Sequence, residues 1–357
     1  MINNKACWIA LILLASFIKI ISFFPPAIEQ YYAKGIYPYI GQVQRFLFGW
    51  IPFSIGDIFY ILFLIYCLRK GFILTRNVFN KRVTRRIWVN AGKRLLFTAL
   101  WIYVLFNALW GLNYNRLPMA QQMRLGLEKY STENLTNLVM LITARLNNLD
   151  SASRYYRVPL QIKRILFTET INTYSVAARR HPALVYRIPS VKPSMFSYAG
   201  NYLGFTGYYN PFSGEAQSNT TVPAFVQPFV TCHEVGHQLG YAKENEANFA
   251  GFLAARSSAN PAFRYSLYFD MYSYASRELY RRDSAVARQY YNRLNPQVKI
   301  DYEDIRIFYL SYENPLEPLI AKMYGQFLRA NQQPQGLRSY NEVVAMLLAY
   351  YRKYGEI

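Results

Sequence analysis

Residues 231–255, TCHEVGHQLGYAKENEANFAGFLAA, contain a His-Glu-x-x-His pattern followed at once by a run of carboxylates. On a helix, His233 and His237 are four residues apart and stand one above the other on a single face, where two imidazoles can share one zinc ion. Glu234 sits beside them. A carboxylate in that position takes a proton from a water that the metal has acidified and later hands it to a leaving amine, which is the chemistry of a zinc hydrolase. The bland reading is a buried helix whose histidines are satisfied by backbone or carboxylate partners. The chain has only three histidines, and two of them fall in this motif.

A catalytic zinc takes three protein ligands and keeps one position open, so a third ligand is required. His181 is the remaining histidine, some fifty residues upstream in an Arg-Arg-His-Pro turn, and Lys243, three residues after Gly240, cannot serve. The third ligand is therefore expected to be a carboxylate, Glu244 or Glu246. If Gly240 ends the first helix and a second starts near Lys243, then Glu244, Ala247, Asn248, Gly251 and Ala254 form one stripe, small apart from Glu244 and Asn248. That stripe lets the second helix approach Gly236 and Gly240 closely, while Glu246 points roughly the opposite way, about 200° around. Glu244 is the expected ligand, with Glu246 as the alternative, and Asn248 is placed to hydrogen-bond a ligand from behind. Glu244 also fits as an acid in a first helical turn, favoured there by the helix dipole alone.

The segment Glu244-Asn245-Glu246-Ala247-Asn248 resembles the E-x-x-A-N pattern of gluzincin metallopeptidases, in which His-Glu-x-x-His is followed by a second helix carrying a glutamate ligand. The spacer between the two is shorter here than in the better-known members. A longer similarity, from the apolar segments through GYYNPFSGEAQ (207–217) to SYNEVVAMLLAYYRK (339–353), points to a bacterial family of membrane-anchored His-Glu-x-x-His proteins known as a domain of unknown function. These resemblances imply a zincin-like fold and a metallopeptidase with one Zn2+ per chain. They supply no substrate.

The formal net charge is +20 with 52% hydrophobic residues, and much of that charge is local. Arg69, Lys70, Arg76, Lys81, Arg82, Arg85, Arg86, Lys93 and Arg94 follow one another with no acid between them. Flanked by apolar segments, such a run is a membrane-topology signal, and no nucleic-acid motif accompanies it. Three spans are expected, at about 7–24, 47–68 and 95–112, with residues 25–46 a Tyr-rich connection. Placing the basic loop 69–94 in the cytoplasm puts the N-terminus inside and everything after Tyr114 outside. Asp57 falls inside the second expected span, although Pro52, Ser54 and Gly56 move its apolar core to about Ile58. Cys7, Cys67 and Cys232 offer no disulfide framework, and Cys232 leaves its helix about 100° from His233, as a packed residue does.

From Asn115 the composition becomes that of a folded extracytoplasmic domain, 115–357, beside a membrane region, 1–114. Helices are expected over Thr132–Leu149, Glu169–Arg180, Pro261–Asp283, Ser284–Leu294, Asp301–Ser311, Leu316–Arg329 and Tyr340–Tyr354. A small β-sheet is expected in residues 202–222, where Tyr208 and Tyr209 are candidate donors to a developing oxyanion. The fold class is thus α+β, mainly helical, preceded by three transmembrane helices in a bacterial cytoplasmic membrane. The expected partners are the lipid bilayer and an unknown protein or peptide substrate. The alternative to a hydrolase is a membrane-tethered binding or assembly protein that keeps the metal fold without turnover.

Overall fold

In the computed structural model, which describes residues 4–80, 84–331 and 340–357, the chain starts as helix α1 (Lys5–Ile21), whose N-cap Asn4 accepts the amide of Ala6. Pro25 and Pro26 follow, and the next helical run is turned by 103° from α1. Proline cannot donate to the preceding turn, so the break falls there. α2 (Pro25–Ala27), a π-helical stretch (Ile28–Ile36) and α3 (Tyr37–Phe48) make up that second run. The expected connection over 25–46 is therefore helical. It folds because one face, including Ile28, Tyr32, Tyr37 and Arg45, is buried by the rest of the protein.

α4 (Ile55–Phe79) and α5 (Arg85–Leu109) are long and apolar enough to cross a membrane, and the bent pair Lys5–Ile21 with Pro25–Phe48 passes the same test as a broken unit. Both ends of each of these two spans differ from expectation. The second span starts at Ile55 rather than Leu47, because Gly49–Ser54 breaks the helix and Ser54 caps the new one by accepting the Asp57 amide. The basic stretch 69–94 is mostly the ends of two helices rather than a loop, with Lys81 and Arg82 outside the described residues. α5 stops at Leu109, and a 3-10 turn, Gly111–Asn115, replaces the last residues of the expected third span.

After α6 (Met119–Gln122), α7 (Thr132–Arg157) starts from a capping box between Ser131 and Asn134 and lies along α12 in the main core. α8 (Lys163–Ala177) leads to a three-stranded sheet of β1 (Val191–Pro193), β2 (Gly207–Asn210) and β3 (Glu215–Ser218), with α9 (Ser197–Leu203) between β1 and β2. The order is β1-β3-β2, with Val191 opposite Ala216 in parallel and Gly207 opposite Ser218 in antiparallel pairing. β1 lies outside the expected 202–222.

The remaining elements are α10 (Gln227–Gln238), α11 (Glu244–Arg256), α12 (Pro261–Arg282), α13 (Ser284–Asn292), α14 (Pro296–Tyr312), α15 (Glu317–Ala330) and α16 (Tyr340–Tyr354). α14 begins five residues before the expected Asp301, at a proline whose fixed φ suits a first helical position. Leu135, Leu138, Ile142, Phe249, Phe252, Phe263 and Leu347 fill the core between α7, α11, α12 and α16.

Contacts cross the expected boundary at residue 114. Glu215 of β3 accepts the first amides of α4, at Ile55 and Gly56, and Arg45 of α3 donates to the Ile188 carbonyl. The sheet is thus bolted to the start of α4, and α3 to the loop before the sheet.

Candidate metal centre

α10 carries His233, Glu234 and His237, and its last turn closes at Gly240, whose φ of +88° is the left-handed conformation glycine adopts without strain. Lys243, in extended conformation, is the N-cap of α11. The two helices approach closely because small residues meet. A Cβ at Gly236 would stand 3.0 Å from the Ala247 carbonyl oxygen, and one at Gly251 would stand 3.3 Å from the His233 nitrogen. Gly240 does not share in that approach. Its neighbours are Tyr37 and Asn113, from the membrane-proximal region.

This packing fixes the histidines. His233 Nδ1 lies 2.8 Å from Asn248 Oδ1, and His237 Nδ1 lies 2.8 Å from the Tyr241 carbonyl oxygen. A carbonyl oxygen only accepts, so each Nδ1 is the donor, and each Nε2 either carries a second proton toward Glu244 or presents a lone pair to a cation. Both Nε2 atoms face Glu244, at 3.3 Å from Oε2 for His233 and 3.7 Å from Oε1 for His237. Two nitrogen lone pairs aimed at a carboxylate repel unless a cation or protons lie between them. Ligands about 2.0–2.1 Å from a tetrahedral zinc are about 3.3 Å from one another, which the observed separations approach.

The electrostatics follow the same division. Burial opposes charge on Glu244, yet bonding to His233 and His237 holds its carboxyl well below the usual range. Glu234 has no such partners: burial, with the Glu244 charge adding and His233 opposing, pushes it up to about 8. Its Oε2 is fully buried without a hydrogen-bond partner, and its ligand oxygen lies within 4.8 Å of those of both histidines.

Other expected residues sit elsewhere. Glu246 points away from the imidazoles and accepts the Met119 amide at 3.0 Å. His181 lies in the turn before Pro182, with its pKa lowered by burial and by Arg256 and Arg180. Cys232 is fully buried, its thiol pushed up by desolvation. The Tyr208 hydroxyl donates to Asp57 and pairs with Ser194, and Tyr209 pairs with Tyr37 at 3.5 Å, so both phenols are engaged with the start of α4 and with α3. The phenol that reaches the centre is Tyr324 of α15, whose hydroxyl is 2.5 Å from Glu244 Oε1. It lies 80 residues from Glu244 in a Tyr-rich chain, and no local pattern marks it.

The membrane-proximal region contributes the floor. Trp110, at the end of α5, donates from Nε1 to the carbonyl of His237 itself at 3.0 Å, and the Tyr37 hydroxyl donates to the Gln238 carbonyl at 2.6 Å. The centre is thus anchored to the residue that caps a candidate span. On the other side, a Cβ at Gly207 of β2 would stand 2.5 Å from Glu234 Oε1, so only glycine leaves room for that carboxylate.

A family model described as a protein of unknown function (DUF3810) matches residues 32–348, which takes in α3, both long apolar helices, the sheet and the α10–α11 pair. The chain belongs to the DUF3810 family. Neither the curated proteins nor the solved structures contain a match to it.

Proposed function

We propose that this DUF3810 chain is a membrane-anchored zinc metallopeptidase that binds one Zn2+ through His233, His237 and Glu244. The observation that carries this reading is the pair of Nε2 atoms converging on Glu244 beside a buried, unpartnered carboxylate. Zinc at such a centre polarises a peptide carbonyl and acidifies water. Asn248 and the Tyr241 carbonyl hold the imidazole rings in register. Glu234 would take the proton of the attacking water and return it to the leaving nitrogen; burial pushes its carboxyl up to about 8, and the charge of a bound cation would draw it down. Tyr324, whose hydroxyl bonds Glu244, is the phenol near enough to the centre that it would donate to a substrate carbonyl. The likeness of the Glu244–Asn248 segment to the gluzincin pattern supports the same ligand set.

The reading also places the chain in a bacterial cytoplasmic membrane, with the basic ends of α4 and α5 inside and the metal centre outside, following the positive charge. Reporter fusions should put residue 80 inside and residue 357 outside.

The hydrolase reading is tested with Glu234→Gln, which keeps side-chain volume and removes the base. Zinc content should be unchanged, while cleavage of unstructured polypeptides, or self-cleavage in membranes, falls by about 100 to 10,000-fold. A metal-loaded variant that fully rescues a deletion strain would show that the protein works by binding instead.

A further inference from the structure

α3 has two faces of opposite character. Tyr37, Gly41, Gln44 and Arg45 are buried, and they bond the Gln238, Pro211 and Ile188 carbonyls behind and beside the metal centre. On the opposite side Ile36, Tyr39, Val43, Phe46 and Trp50 recur at helical spacing and are 58–79% exposed. An apolar stripe of this size facing water is unfavourable, so something apolar covers it.

The covering partner follows from where α3 lies. The Tyr32 hydroxyl, just before α3, donates to the Asn107 and Ala108 carbonyls at the end of α5, and Phe48, its last residue, packs edge-on against Phe59 near the start of α4. The helical run therefore bridges two candidate spans at the ends that meet the metal centre. It is also bent 103° from α1, close to perpendicular to a helix that packs along α5 through Trp8 and Phe97. A helix perpendicular to the spans lies in the plane of the membrane.

We propose that the Ile36–Trp50 stripe is seated in the leaflet on the side of the metal centre, and that the centre therefore serves polypeptides tethered to that same membrane. His237 is bonded through its own carbonyl to Trp110, and Gln238 to Tyr37, so the cleft stands about one helix diameter above the lipid. The substrate class is a chain whose scissile bond lies within a few residues of its own transmembrane or lipid anchor. That second half rests on the hydrolase reading, whereas the seating of α3 does not.

Both halves are tested on the full-length protein in proteoliposomes. With Cys7 and Cys67 replaced by Ser, a nitroxide is placed at Val43→Cys and, for comparison, at Tyr155→Cys on α7, which is exposed on the far side of the core. Residue 43 should collide readily with oxygen and poorly with a water-soluble nickel chelate, and residue 155 the reverse. Equal nickel access at the two positions overturns the seating of α3. For the substrate, one unstructured polypeptide is supplied with and without a single transmembrane anchor at equal total concentration. The anchored form should be cut at least about 100-fold faster, the scale of an effective-concentration gain, and near its anchor. Equal rates for the two forms overturn the substrate class. Cleavage of neither by zinc-loaded protein overturns the hydrolase reading and the substrate class with it, while the nitroxide result still decides the position of α3.

Discussion

Glu244 and Glu246 stand two residues apart in the first turn of α11, and their surroundings push them in opposite directions. Glu244 faces two imidazole nitrogens that hold it ionised. Glu246, on the other side, has one backbone donor and burial that raises its pKa, opposed by Lys243, Met119 and Arg116. Behind it lies a closed ionic contact: Arg116 grips both Glu29 oxygens at 2.9 and 3.0 Å, donates to the Gly240 carbonyl at 3.1 Å and lies over the Tyr241 ring. At the back of the α10–α11 hairpin the charges are paired within the protein through Arg116, although Glu246 Oε2 and both polar atoms of Asn113 are buried without a hydrogen-bond partner. What sets the front apart is convergence: two imidazole Nε2 atoms and the Glu244 carboxylate meet there beside the buried Glu234.

The largest expected effect is at the back. Arg116→Met removes the bidentate partner of buried Glu29 and leaves it only Lys34, at 3.2 Å and largely exposed, and Gln122, so stability should fall by about 3 kcal/mol, measured by thermal unfolding in nanodiscs. A change below about 1 kcal/mol would mean that the Glu29 pair does not hold the turn at Gly240.

A second effect belongs to Glu234. Its folded pKa of about 8 lies above the unfolded 4.5, so the folded state favours the protonated form. That contribution is fully present below about pH 4.5 and is lost as pH rises through about 8. In metal-stripped protein Glu234→Gln, which does not titrate, should therefore be more stable than wild type by about 3 kcal/mol at pH 7, and the gap should close toward pH 4. A gap that stays constant with pH would contradict the burial of an unpaired carboxylate there.

Third, Glu244→Gln should weaken zinc binding by at least about 10 to 100-fold, and Glu246→Gln should leave it nearly unchanged. The reverse order would break the comparison outright. The smallest effect is expected for Asn248→Ala, which frees the His233 ring to turn and should cost about 10-fold in zinc affinity.

What could be read from the sequence was what local spacing encodes. His233, Glu234 and His237 share a helix face by their intervals alone, and the small stripe of Ala247, Gly251 and Ala254 orients α11. Helical periodicity places α12, α13 and α16 to within about two residues. The sequence hides what depends on distant partners. Residues 25–46 look like a connection because Pro25, Pro26 and many tyrosines break the apolar pattern, and only Tyr37 on Gln238 and Arg45 on Ile188 show why they are helical. Likewise Tyr208 and Tyr209 follow from proximity in sequence to the motif, whereas Tyr324 comes from a helix far along the chain. The basic stretch was legible as charge but not as helix ends, since nothing in it terminates α4 before Phe79.

The most direct test of the central claim is the metal content of purified full-length protein after growth in zinc-replete medium, compared with His233→Ala. Wild-type protein should hold about one zinc per chain through dialysis, and the variant none. Wild-type protein without zinc, or a variant that keeps it, would contradict the metal centre itself.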